Sequence, residues 1–148
     1  MFADILPRSI GNTYRGSRLA LWLLGFLVLI KCVIGVNSIV NGADVMTKAD
    51  GVALNTFPAA AAQNLIALWA LLGLAHIVMA VLGLLVLLRY RGMVPLMFAL
   101  LLLQHAGGRL VGYFHPIVRT GAPPAFIVNF ALLTFITVGF TLSLWRRR

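Results

Sequence analysis

The chain has 148 residues, of which 61% are hydrophobic and only 10% charged, with a mean hydropathy of +1.01. A soluble domain carries about a quarter charged residues, so a water-soluble globule and a disordered chain are both excluded. Net charge is +9, from twelve Lys and Arg against three Asp and no Glu. These basic residues edge long apolar runs rather than forming a polar surface, which excludes nucleic acid as a partner. A single cysteine, Cys32, permits neither an internal disulfide nor a cysteine metal cluster.

In chain order, four apolar runs emerge: about 19–38, 65–88, 93–113 and 124–145. Each approaches the ~20 residues a helix needs to cross ~30 Å of hydrocarbon. Helices satisfy their own backbone hydrogen bonds in lipid. The expected fold is therefore an all-α membrane protein, an antiparallel four-transmembrane-helix bundle in one domain over 1–148, with an outer loop at 41–63. The alternating strands of an outer-membrane barrel are absent from the pattern.

The first run follows Arg8, Arg15 and Arg18 and could be read as a signal peptide. Lys31 and the Ile30-Lys31-Cys32 sequence spoil both cleavage patterns, so helix 1 is expected to be retained. Asn55 or Thr56 is expected to cap helix 2, with Pro58 in its first turn. From Pro58 to Leu88 that helix would span about 46 Å, with its first turns outside the hydrocarbon. Arg91-Gly92 breaks the chain before Pro95 starts helix 3. Gly121-Ala122-Pro123-Pro124 breaks it again before helix 4.

Eight basic residues fall on one side: Arg8, Arg15, Arg18, Arg89, Arg91, Arg146, Arg147 and Arg148. Only Lys48 and Arg119 fall on the other. The positive-inside rule then puts both termini in the cytoplasm of a bacterial inner-membrane protein, with Trp22, Tyr90 and Trp145 near the cytoplasmic interface and Tyr113 near the outer one.

Helix association in lipid relies on small residues. Helix 2 offers Gly73, His76, Ala80 and Gly83 on one face, helix 1 Gly25, Cys32 and Gly35, and helix 3 Gly108 and Gly112. The threonines of helix 4, Thr134, Thr137 and Thr141, can bond their own backbone or cross to a neighbour. Such faces also suit a homo-oligomer or a larger membrane complex.

The polar residues inside the spans are the informative ones. Lys31 falls about 10 Å below the outer boundary, His105 at a similar level, and Asn129 about 8 Å below the outer edge. Arg109 lies one turn above His105 on the same face, and Gln104 adjoins it. Lys31, Gln104, His105, Arg109 and Asn129 thus form a candidate ligand-binding set. An intramembrane Lys or Arg costs about 2.5–3.5 kcal/mol at a helix centre, and no span contains a carboxylate. Four remedies stand open: snorkelling of Arg109 and Lys31 to the interface, pairing with Asp44 or Asp50 of the outer loop, an external anion such as a lipid phosphate or carboxylate, or an uncharged Lys31.

His76 is expected deeper, as a neutral histidine bonding a facing helix. Its spacing from His105 defines no haem pair, and His115 reads as a loop residue. No paired carboxylates, activated nucleophile or phosphate loop is evident. No catalytic residue, metal or cofactor is assigned.

The pattern resembles the small four-span bacterial inner-membrane proteins of unknown function and is loosely similar to DoxX-like proteins. The resemblance covers most of the chain from helix 1 onward and rests on the four spans, Gly108-Arg109-Leu110 and the Gly121-Ala122-Pro123-Pro124 break. It implies no settled activity and transfers no catalytic residue.

The leading expectation is a non-enzymatic membrane subunit or lipid- or ligand-binding bundle, with an outward-facing polar pocket and membrane lipids, an anionic lipid or a small ligand as partners. The alternatives are a membrane enzyme acting on a lipid or isoprenoid-like substrate, with His105 as acid–base, and a small transporter or channel.

Overall fold

The computed structural model describes residues 11–121 and 123–145, together with Ile5. Four long helices dominate: α1 (Arg18–Val40), α2 (Ala59–Leu88), α3 (Val94–Phe114) and α4 (Ala125–Leu144). All four are long and apolar enough to cross a membrane, and there is no strand among the described residues. Arg8, Arg146–Arg148 and Ala122, which carry part of the charge asymmetry and of the last break, lie outside the described residues.

Local chemistry sets the helix ends. Ser17 holds an extended backbone and its Oγ accepts the Leu19 N–H at 3.3 Å, capping α1. The other end of α1 closes on an amide pair, Asn41 Nδ2 donating to Asn37 Oδ1 at 2.8 Å. The cap of α2 differs from expectation. Leu54–Thr56 forms a 3₁₀ turn of its own, and Pro58 is the cap residue itself, with ψ at 145°. Proline at the cap has no N–H to leave unsatisfied, and its extended ψ keeps it out of the first turn. Pro95 sits in the first turn of α3 as expected. Arg91 Nε donates to the Leu87 carbonyl at 2.9 Å, satisfying an end group of α2.

The tightest seam joins α1 to α2. A Cβ on Gly35 would stand 2.7 Å from the Gly73 carbonyl oxygen, and one on Gly73 would stand 2.8 Å from the Gly35 oxygen. Further along, Val28 fills the space over Gly83, and Leu87 reaches Gly25 at 3.9 Å. Contacts thus descend along α2 as they ascend along α1. Gly73, Ala80 and Gly83 are all buried, so the small face of α2 packs as its spacing predicts.

The core lies toward the end carrying residues 11–17. Leu24 and Leu27 of α1, Phe98 and Leu101 of α3 and Ile136 of α4 are almost fully enclosed. The Phe98 ring occupies the space that a side chain at Gly139 would need. At this end Ser17 N–H bonds the Leu142 carbonyl at 3.2 Å, and Gly92 N–H bonds that of Gly11 at 3.1 Å.

The opposite end is tied by the first connection. Gly42–Asp44 forms a helical turn and Val45–Ala49 a π-helical turn. The chain then reverses at Gly51, whose φ of +71° favours glycine. The Gly51 carbonyl accepts both the Thr120 N–H at 2.8 Å and the Thr120 hydroxyl at 3.1 Å. Met46, Val52 and Pro123 are buried beneath this strap.

Packing on α3 corrects one expectation. Beyond His105 the helix is largely open, and a Cβ added at Gly107, Gly108 or Gly112 would meet nothing within 4 Å. Gly108 and Gly112 therefore do not pack the four helices together. Although consecutive, α2 and α3 touch only sparingly, whereas α1 packs on both α2 and α4, and α3 packs on α4. The threonines of α4 bond their own helix: Thr134 to Phe130, Thr137 to Leu133 and Thr141 to Thr137.

These contrasts separate two glycine substitutions. Gly73→Val forces the α1–α2 seam apart and should cost about 1–3 kcal/mol, read as a lowered Tm in detergent. Gly108→Ala meets open space and should leave Tm unchanged or raise it slightly.

Candidate functional site

Lys31 lies midway along α1 and is 1% exposed. Its Nζ donates to Gln104 Oε1 of α3 at 3.0 Å. Among the described residues no carboxylate lies within 4 Å of it. An ammonium has three donors, and only one has a described protein acceptor.

The neighbouring polar groups are basic or amide. His105 Nε2 lies 3.1 Å from the Asn129 carbonyl oxygen on α4. A carbonyl only accepts, so Nε2 carries the proton in this bond. Asn129 therefore enters the site through its backbone oxygen. His76 Nδ1 makes the same kind of bond to the Leu72 carbonyl of its own helix at 2.8 Å. Among the described residues the expected bond from His76 to a facing helix is not made: Nδ1 donates to its own helix, and Nε2 meets no donor. Nor does His76 sit deeper than the cluster. The glycine seam explains this: with Gly35 against Gly73, the next turn of α2 brings His76 to the level of Lys31.

Lys31 is thus joined to Gln104 and His105 to the Asn129 backbone, with Gln104 and His105 adjacent on α3 and His76 near the level of Lys31. Arg109 stands one turn away with an exposed side chain. Neither loop carboxylate lies within 4 Å of Lys31. Asp44 Oδ2 accepts from Lys48 Nζ at 2.9 Å on the surface. Asp50 faces the charge of Arg119, whose guanidinium stacks 5.2 Å from the Phe126 ring centroid. Both belong to the strap, which docks on Thr120 rather than folding down onto Lys31.

An open groove of about 530 Å³ runs between α2 and α3. Leu71, Leu74, Val78, Leu100 and Leu103 line it, with Gln104 as the polar group on its wall. The same Gln104 that holds Lys31 therefore borders an apolar channel facing sideways. No sequence periodicity announces this groove, since it arises from the gap between α2 and α3. Trp69 adds a second unannounced feature: its Nε1 is a buried donor without a partner among the described residues. Among the described residues no group of three or more His, Cys, Asp or Glu could hold a metal.

Compared with known proteins, the chain matches no family model, no curated protein and no solved structure.

The strap carries a pH dependence. Burial raises the Asp50 carboxyl above its ordinary value, partly offset by Arg119. The folded state then holds that proton more tightly than the unfolded state does. Docking is favoured below the ordinary carboxylate range and loses this contribution as pH rises through it. Amide-exchange protection at Thr120 should fall over that interval in the native chain and stay flat in Asp50→Asn.

Proposed function

We propose that this chain is an integral membrane protein, an antiparallel four-helix bundle, that binds an anionic lipid or ligand around Lys31. The carrying observation is a lysine 1% exposed, held by a neutral glutamine that also lines an open apolar groove, with no carboxylate within 4 Å among the described residues. A buried cation without a counter-charge is costly, and an anion that shares its surroundings offsets that cost.

Membrane insertion is supported by four apolar helices whose large side chains face outward, among them Leu71, Leu103, Ile127 and Phe130. A helix apolar all round suits lipid or a deep core, not water. The basic flanks favour a bacterial inner membrane with both termini cytoplasmic. In that orientation the strap is outside, Tyr113 is near the outer interface, and Arg109 snorkels toward it. The resemblance to DoxX-like proteins fits this architecture and contributes no residue role.

Binding is favoured over conduction. A conducting path needs continuous polar lining, and the cytoplasmic half is filled by Leu24, Leu27, Phe98, Leu101 and Ile136. It is favoured over catalysis because His105, the candidate acid–base group, has its Nε2 proton committed to the Asn129 carbonyl of α4.

Mass spectrometry of lipids retained by the protein in mild detergent tests this reading. The native chain should retain an anionic amphiphile, and Lys31→Met should lower its occupancy about tenfold, near 1.4 kcal/mol. Helical content should be preserved, since methionine matches the length of the buried stem. The same retained lipids at the same ratio in both proteins would contradict the reading.

A further inference from the structure

Resting on the reading of Lys31 as an anion site, we propose that the occupant is a single-chain carboxylate amphiphile. It enters sideways between α2 and α3, with its chain in the groove and its head against Gln104, behind which Lys31 is held. Four observations converge on this class.

The first is access. One end is tied by the strap, through Gly51 and Thr120. The other is tied by residues 11–17, through Ser17 to Leu142 and Gly11 to Gly92. The α1–α2 seam is shut by backbone contact at Gly35 and Gly73. The α2–α3 gap faces the direction lipid would occupy, so an occupant arriving through it is lipid-soluble.

The second is size. A groove of about 530 Å³ falls within the ~300–1,000 Å³ typical of small-ligand sites. It accommodates one acyl chain rather than the two chains of a phospholipid. The third is lining. Leu71, Leu74, Val78, Leu100 and Leu103 contact the chain along its length, and Ala75 leaves room for it.

The fourth is the head. Gln104 Oε1 is taken by Lys31, which leaves the Gln104 amide N–H groups and the remaining Lys31 protons as donors. An ionised carboxylate only accepts, and its single charge matches one ammonium. A phosphomonoester dianion would bring a second buried charge, which is costly; a phospholipid diester carries one charge, as a carboxylate does, and is set apart by its two chains. Arg109 is exposed one turn away and does not enclose the head.

The test is binding to the full chain in nanodiscs of zwitterionic lipid, with oleate, oleyl alcohol, acetate, inorganic phosphate and phosphatidylglycerol as probes. Oleate should bind saturably, with oleyl alcohol and phosphatidylglycerol at least about tenfold weaker. Acetate and phosphate should not compete at equal concentration. Ala75→Trp, which places a ring in the open groove, should weaken oleate about tenfold at unchanged helical content. Leu103→Phe, at a position 70% exposed, provides a second obstruction should Ala75→Trp fold poorly.

Binding of acetate or phosphate as tight as oleate and lost in Lys31→Met overturns the amphiphile while keeping the anion site. So does phosphatidylglycerol outcompeting oleate. Oleate binding indifferent to both groove variants overturns lateral entry. Oleate binding equal in Lys31→Met and the native chain overturns the anion site itself.

Discussion

The burial of Lys31 is the constraint around which the rest of the molecule is arranged. Its ammonium sits on the middle of a membrane-length helix, reaches Gln104 at 3.0 Å, and meets no carboxylate within 4 Å among the described residues. Enclosure of an uncompensated charge costs more than a surface location would. Exposed lysine would need no explanation, and neither would a buried Lys–Asp pair. Here the acidic residues that could have served lie on the strap, bonded to Lys48 or set against Arg119.

The glycine seam makes that burial unavoidable. Backbones meet at Gly35 and Gly73, one turn from Lys31 on α1 and nearly one turn from His76 on α2. Side chains flanking such a close approach are pressed into the interior, so the seam turns the lysine inward and fixes its level against α2. Packing is dense toward the end where Phe98 fits against Gly139 and looser toward the strap, where α3 stands clear of its neighbours. The groove follows from that uneven packing.

Much of this was legible in the residues. Runs of apolar side chains located all four helices to within a few residues, and the small face of α2 was visible from the spacing of Gly73, Ala80 and Gly83. Convergence of Lys31, Gln104 and His105 followed from counting rise along each helix. Three features escaped for identifiable reasons. His76 was placed too deep because depth counted from helix ends ignores the stagger that Gly35 and Gly73 impose. Spacing alone marks Gly108 and Gly112 as packing residues but does not say whether a partner helix is present. Pairing of the loop carboxylates with Lys31 is open in the sequence because it does not show that Thr120 holds the strap elsewhere.

The chain contains only two lysines, Lys31 and Lys48, so side-chain nitrogen NMR on lysine-labelled protein in nanodiscs can observe the central group directly. Lys48 should exchange its protons with water freely and ignore added oleate. Lys31 should be protected from exchange and shift when oleate is added. Two signals that exchange alike, with neither responding to oleate, would contradict the account.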